Sequence, residues 1–163
     1  MRIRPALAVL AFVTLIPMSP ILAQDHHAAM NKRGDKVMGF DQEATAHHFL
    51  LFADGGAIDV GVKNIADSTN MTAIRSHLPH IAMMFEEGNF EAPMLVHDSK
   101  QVPGTAVMAA RKSRIRYEYV ETKAGGRVNI TTTDPEALAA VHAFLRFQIT
   151  DHKTGDPTTV RPR

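Results

Sequence analysis

Apolar and polar residues alternate with the period of a β-strand in two segments of the chain, residues 46–62 and residues 115–132. Near the middle of each segment the alternation stops at a pair of glycines, Gly55-Gly56 in the first and Gly125-Gly126 in the second. Glycine pairs flanked by alternating segments are typical of tight turns between antiparallel strands. The pattern therefore predicts two β-hairpins.

Each predicted hairpin is followed by apolar residues at the spacing of an amphipathic helix. They are Ile74, Leu78, Ile81 and Phe85 after the first hairpin, and Leu138, Leu145 and Ile149 after the second. Capping residues precede both stripes, at Asp67 and at residues 133–136. The order predicts an α+β fold: a duplicated ββα-ββα unit whose antiparallel four-stranded sheet carries both helices on one face. This single domain is expected over residues 46–155, followed by a disordered tail over residues 156–163.

Superimposing the two halves on their Gly-Gly turns shows where histidine replaces a core residue. The hairpins match His47 with Tyr117. With a short insertion allowed in the first half, the helices match His77 with Val141 and His142 with Leu78. Burying an imidazole without a partner costs roughly 1–3 kcal/mol. The three histidines are therefore expected to meet in the interior, held by internal hydrogen bonds or by a ligand.

Copper is the first ligand to consider, because the chain contains 9 histidines and 9 methionines but no cysteine. Imidazole is the commonest metal ligand, and thioether sulfur adds a preference for Cu(I). The predicted metal ligands are His47, His77 and His142, with His80, His97 and Met84 as nearby candidates. Zinc and haem are alternatives for the same pocket. Each of these side chains also has a purely structural interpretation as a packing residue or a satisfied core residue.

Residues 24–45 are polar and follow neither the strand period nor the helix period, which predicts a flexible arm. If a leader ending at residue 23 is removed, His26 becomes the third residue of the mature chain. The free amine, two backbone amides and this imidazole can then form a square-planar site for Cu(II) or Ni(II). His27 extends this second, looser metal site.

The N-terminus has the order of a secretory leader: a basic start at Arg2 and Arg4, an apolar stretch over residues 6–16, and a small residue, Ala23, at the expected cleavage position. The apolar stretch is too short to span a bilayer, which needs about 20 residues. Residues 1–23 are therefore predicted to be a signal peptide, and the mature chain a periplasmic or secreted protein without stable membrane insertion. A formal net charge of +1 gives no indication of a nucleic-acid partner.

The sequence contains no nucleophile elbow, zinc-protease helix, dinucleotide fingerprint, phosphate loop or cysteine nucleophile. The leading hypothesis is therefore a protein that sequesters or delivers copper and does not catalyse a reaction. Two alternatives stay open. One is a small metal- or haem-dependent enzyme or sensor that uses the same pocket. The other is a metal-free interaction module that forms a homodimer through the open face of the sheet.

Several segments carry a resemblance over nearly the whole mature chain. They are Met38-Gly39-Phe40-Asp41-Gln42, residues 45–49, the turn Asp54-Gly55-Gly56, His77-Leu78-Pro79-His80-Ile81-Ala82 and residues 140–155. Together they resemble a group of uncharacterised exported bacterial proteins, some of which are labelled aspartate carbamoyltransferase. That label is rejected here, because the carbamoyl-phosphate loop Ser-Thr-Arg-Thr of that enzyme does not occur in the sequence. The resemblance implies export and the extent of the domain, and it implies no activity or residue roles.

Overall fold

The computed structural model describes residues 20–162. Its centre is an antiparallel 4-stranded sheet. The strands are β1 (Thr45–Phe52), β2 (Gly55–Val62), β3 (Ile115–Thr122) and β4 (Gly125–Thr132). The two predicted hairpins, β1-β2 and β3-β4, lie side by side and are joined through β2 and β4, so that the strand order is β1-β2-β4-β3.

The helices are α1 (Pro20–Met38), α2 (Ser68–Glu86), α3 (Glu91–Val96), α4 (Thr105–Ala110) and α5 (Pro135–Asp151). As predicted, α2 and α5 follow the hairpins, and Asp67 and Asp134 cap their N-termini. Their apolar faces pack on the sheet and form the core. Helix α2 packs chiefly against β3 and β4, and α5 chiefly against β1 and β2, so each helix covers the hairpin of the other half. The predicted α+β fold with a duplicated ββα unit is confirmed.

The two halves are related by an approximate two-fold axis at the middle of the sheet. Ile58 of β2 and Val128 of β4, which the hairpin alignment matches, lie directly opposite each other. In the outer strands, Phe49 lies opposite Ile58 and Tyr119 lies opposite Val128. The structure therefore confirms the alignment of the hairpins.

The helices match in a different register from the predicted one. Arg75 of α2 donates hydrogen bonds to two backbone carbonyls of the β3-β4 hairpin, at 2.9 and 3.3 Å. His142 of α5 contacts the equivalent carbonyls of the β1-β2 hairpin, with Nε2 2.9 Å from the oxygen of Phe52 and 3.0 Å from that of Gly55. Arg75 therefore corresponds to His142. The predicted match of His142 with Leu78 is wrong by almost one helical turn, because the insertion in the first half is shorter than expected.

The corrected register changes which histidines stand in place of core residues. His77 corresponds to Phe144, which is buried, and not to Val141. His152, which follows the last residue of α5, corresponds to Phe85 near the end of α2. Two imidazoles of the helices therefore occupy positions that the other half fills with phenylalanine.

The segment predicted to be a flexible arm is largely helical, because α1 extends to Met38. Met30 is fully buried, and Arg33 Nε donates to the carbonyl oxygen of Val96 in α3 at 2.8 Å. The prediction is wrong here because α1 is polar on average, unlike α2 and α5, and contacts with the rest of the fold stabilise such a helix more than its own sequence does.

The predicted signal peptide, residues 1–23, lies mainly outside the described residues, and its last four residues belong to α1. No helix within residues 20–162 is both long and apolar enough to cross a membrane.

The C-terminal residues predicted to be disordered follow the outer edge of β1. Asp156 Oδ2 accepts a hydrogen bond from the backbone N–H of Phe49 at 3.0 Å, and its Oδ1 lies 3.0 Å from Nδ1 of His48. Further along, the backbone N–H of Arg161 donates to the carbonyl oxygen of Leu51 at 2.9 Å. The prediction is wrong for the described part of this tail, because bonding to an open strand edge leaves no signature in the hydrophobic pattern.

Candidate ligand site

A recess opens where β1 begins and α5 ends. Its inner part is a cavity of about 60 Å³ with mostly apolar walls. Its outer part is an open, polar cleft of about 490 Å³. Gln42, His47 and His152 line both parts, so the cavity and the cleft adjoin at these three side chains. The apolar walls of the cavity include Phe40, Phe49, Ile58, Val60, Leu78 and Ile81.

His47 and His152 lie at the junction of cavity and cleft. Their ring centroids are 5.6 Å apart and their planes are inclined by 20°, so the rings stack. Phe40 and Phe49 flank His47 at centroid distances of 5.9 and 6.4 Å. Aromatic packing therefore fixes the position of the two imidazoles.

Both imidazoles of the junction are neutral at pH 7. Burial, with a smaller effect of the neighbouring charges of His48 and Lys63, lowers the pKa of His47 to about 4. Burial, followed by the proximity of His47 and His97, lowers the pKa of His152 to about 3. A neutral imidazole offers one N–H donor and one nitrogen acceptor. It is also the form of histidine that binds metal ions.

His97 lies deeper, with 6% of its surface exposed. Its Nδ1 is 2.5 Å from Oδ2 of Asp151, and its Nε2 is 2.9 Å from Oε1 of Gln148. Burial opposes ionisation of Asp151, but the contacts with His97 and with His26 outweigh burial and lower the pKa of this carboxyl group. Asp151 is therefore charged at neutral pH, and it fixes the orientation of the His97 ring.

Gln148 lines the cavity and is only 3% exposed. Its Oε1 is engaged by His97, whereas its Nε2 has no hydrogen-bond partner in the protein. A buried amide group left without a partner costs roughly 1–3 kcal/mol. The wall of the cavity therefore contains a hydrogen-bond donor that a ligand can satisfy.

Two histidines of α1 reach the same region. His26 Nε2 lies 3.4 Å from Oδ1 of Asp151, and His27 Nε2 lies 3.3 Å from the carbonyl oxygen of His152. Because both lie within α1, the square-planar site predicted around His26 requires the first turn of this helix to unwind. The walls of the recess therefore include His27, His47, His48, His97 and His152, and His26 lies nearby, beside Asp151.

The other predicted ligands lie elsewhere. His142 contacts the hairpin at the far end of β1. His77 packs edge-on against Phe40 at a centroid distance of 6.0 Å, and burial lowers its pKa. His80 is exposed, and Met84 is half-buried outside the recess. Within the described part of the chain, no group of three or more His, Asp or Glu side chains is arranged so that it could hold a metal ion.

Sequence analysis did not select His152, the residue at the centre of the recess. It lies beyond Ile149, the last apolar residue of the second predicted helix. The sequence therefore gives it the character of a polar residue at the end of that helix. Its match with Phe85 is the signal that identifies it, and this match depends on the helical register that only the contacts of Arg75 and His142 reveal.

The chemistry available in the recess favours binding over acid–base catalysis. Imidazoles with a pKa of about 4 or about 3 are weak proton acceptors near neutral pH, whereas a general base works best with a pKa close to the ambient pH. Apolar walls with a few convergent polar groups are typical of small-molecule sites. Comparisons with protein-family models, with curated proteins and with solved structures found no match to this chain.

Proposed function

We propose that this chain is a binding protein for a small, uncharged molecule with a short apolar end and a polar group. The apolar part of the ligand packs against the cavity walls, and its polar group forms hydrogen bonds with the polar side chains there, His47, His152 and Gln148. The observation that carries the proposal is that an apolar cavity and an open cleft adjoin, with Gln42 and these two imidazoles lining both. The cleft of about 490 Å³ falls within the range of roughly 300–1,000 Å³ that small-molecule sites occupy.

The other half of the fold supports a functional interpretation of the two imidazoles. Phe85 and Tyr117, the counterparts of His152 and His47, pack edge-on at a centroid distance of 5.8 Å. Phe90 extends this aromatic cluster, 4.6 Å from Phe85. The fold can therefore fill this position with apolar rings. Histidine in their place lowers stability, which is expected where a residue is retained for binding.

The unpartnered amide of Gln148 indicates which chemical class of ligand fits the cavity best. Its unpartnered Nε2 is a donor at the wall of the cavity, so a ligand that places a hydrogen-bond acceptor there removes the cost of burying this group. A ketone, an ester or a cyclic ether combines such an acceptor with a compact apolar frame. We therefore expect the polar group of the ligand to be a carbonyl or ether oxygen.

A matched pair of probes tests this proposal. Cyclopentanone and cyclopentane have similar shapes, but only the ketone has an acceptor. Titration of the isotope-labelled protein, followed by NMR, should give saturable shifts of the Gln148 side-chain amide and of the His47 and His152 rings with the ketone. Binding of cyclopentane should be weaker by about tenfold, which corresponds to about 1.4 kcal/mol.

Two variants complete the test. The double change His47→Phe and His152→Phe keeps aromatic packing and removes the polar groups, so it should weaken ketone binding by about tenfold or more. His142→Ala removes an imidazole outside the recess and should leave binding unchanged. No saturable shift in the natural protein, or equal binding by the double variant, would contradict the proposal.

Copper binding in the cleft is the second candidate function. It is supported by one observation: His27, His47, His48 and His152 line the same open cleft, and imidazole is the commonest metal ligand. Because no metal-binding group is preformed within the described residues, binding requires side chains of the cleft to rotate. Zinc and haem remain alternatives for these ligands.

Metal content separates the two candidates. Mass spectrometry of exported protein, purified without tags or chelators, should find stoichiometric copper in the natural chain and none in the variant with His47→Phe and His152→Phe. Copper retained by this variant but lost on His26→Ala would move the site to the N-terminus. Absence of bound metal, including zinc and haem iron, from the natural protein would contradict this second function. N-terminal sequencing of the same sample tests the predicted leader, because cleavage after Ala23 leaves Gln24 at the terminus.

A further inference from the structure

The two outer edges of the sheet differ in what covers them. Along β1, Asp156 accepts the backbone N–H of Phe49, and Arg161 donates to the carbonyl oxygen of Leu51. Along β3, no strand or isolated bridge of residues 20–162 pairs with the outer side. An open edge is a template on which another strand can form backbone hydrogen bonds.

The backbone groups that face outward on β3 can be identified. Arg161 donates to the outward carbonyl oxygen of Leu51 in β1, whose counterpart in β3 is Glu121, so the odd-numbered residues of β3 face the outer side. Because N–H and C=O groups alternate in direction along a strand, Tyr117 and Tyr119 direct theirs outward. Phe49, the counterpart of Tyr119, points its N–H away from the sheet in the same way.

We propose that β3 pairs antiparallel with β3 of a second copy of this chain, with Tyr117 on the two-fold axis. In this register Arg116 lies opposite the partner's Glu118, and Glu118 lies opposite the partner's Arg116. Cross-strand neighbours have Cβ atoms about 4.5–5.5 Å apart, so both opposite-charge pairs form. The sheets of the two copies then join into one.

A second copy fits this edge better than an unrelated strand because the charge pattern is self-complementary. Arg116 and Glu118 lie symmetrically about Tyr117, as a two-fold interface requires. Their side chains are 74% and 55% exposed, and they approach each other only to 3.6 Å within one chain. They are therefore free to pair across an interface. This edge differs from the open sheet face, where Asp59 and Arg127 already form an ion pair.

Charge reversal tests both the partner and the register. Sedimentation velocity over a range of protein concentrations should show a monomer–dimer equilibrium for the natural chain. Arg116→Glu alone and Glu118→Arg alone each place like charges opposite each other and should weaken the dimer by about tenfold or more. The double variant exchanges the two charges and should restore the natural affinity. Lys100→Glu, at an exposed position away from β3, should have no effect.

Mixing the two single variants gives the sharpest result. A chain with Arg116→Glu and a chain with Glu118→Arg are complementary only to each other, so the mixture should form a heterodimer while each alone stays monomeric. Amide hydrogen exchange of Tyr117 and Tyr119 should slow as the natural protein is concentrated. A natural chain that stays monomeric, a double variant as weak as the single ones, or binding of an unrelated strand at this edge without self-association would overturn the proposal.

Discussion

The place between α2 and the β3-β4 hairpin is filled with phenylalanine and tyrosine rings, whereas the equivalent place between α5 and the β1-β2 hairpin contains imidazoles. In the first case Phe85 packs edge-on against Tyr117 at 5.8 Å and against Phe144 at 5.9 Å. In the second case the counterparts of these residues are histidines. They are His152, His47 and His77. The fold itself therefore does not require a polar group at this place.

The proposed binding function assigns different roles to these two places. The Phe85 ring is in close contact with Phe90 and Phe144. The cavity lies between the two places, because Phe85 and Phe144 line it together with His47 and His152, whereas the cleft opens only beside the imidazoles. Residues retained for function commonly lower stability. We therefore expect substitutions that exchange the chemistry of the two halves to shift stability in opposite directions.

The largest effect is expected from Phe85→His, which gives the apolar half the chemistry of the recess. The imidazole loses the apolar contacts with Phe90 and Phe144 and is buried in a mostly apolar place, so the free energy of unfolding should fall by about 3 kcal/mol. Urea unfolding at pH 7 measures this loss. Leu95→His, at a position that is 52% exposed, should change stability by less than about 0.5 kcal/mol. A loss below about 1 kcal/mol for Phe85→His would show that the two environments are interchangeable.

The second largest effect is a loss of stability at low pH, which is caused by the two imidazoles of the recess. Unfolded histidine has a pKa of about 6.5, whereas the folded chain lowers the pKa of His47 to about 4 and that of His152 to about 3. Between about pH 6.5 and the folded values the unfolded state binds more protons. The free energy of unfolding therefore falls as the pH falls, by at most about 1.4 kcal/mol per pH unit for each histidine.

The double variant with His47→Phe and His152→Phe should have a much flatter profile. Relative to the natural protein it should gain about 2 kcal/mol for each of the two histidines when the pH falls from 7 to 5. Urea unfolding at several pH values provides the comparison, and His80→Ala, at an exposed position, should keep the natural profile. If the double variant and the natural chain have parallel profiles, the two imidazoles are not buried in their neutral form.

The hairpins and the two long helices were predictable because their signals are local. Gly-Gly turns, alternation and capping residues such as Asp67 and Asp134 lie within a few positions of the structure they determine. Helix α1 and the tail beyond Gly155 were not predictable in this way. Their stabilising contacts, such as Arg33 with Val96 and Asp156 with Phe49, join residues that are far apart in the chain.

The candidate site was predictable only in part. The alignment of the hairpins identified His47, because the turn glycines fix how the two hairpins match. His142 was misassigned, because a shift of almost one turn still matches apolar residues in two amphipathic helices. The contact between His97 and Asp151 joins α5 to the residue that follows α3. No periodicity or motif of the sequence indicates a contact between two residues that lie so far apart in the chain.

The smallest expected effect on the free energy of unfolding concerns Arg75 and His142, whose hydrogen bonds show how α2 and α5 correspond. Arg75→Ala leaves two carbonyls of the β3-β4 hairpin without their side-chain donor, and His142→Ala does the same to the β1-β2 hairpin. Each change should lower the free energy of unfolding by about 1 kcal/mol, the usual net value of such hydrogen bonds. The two losses should add within about 0.5 kcal/mol in the double variant, because the sites share no partner. Neither change should alter ketone or copper binding. A large loss of binding on His142→Ala would instead show that this residue belongs to the binding site, although it lies outside the recess.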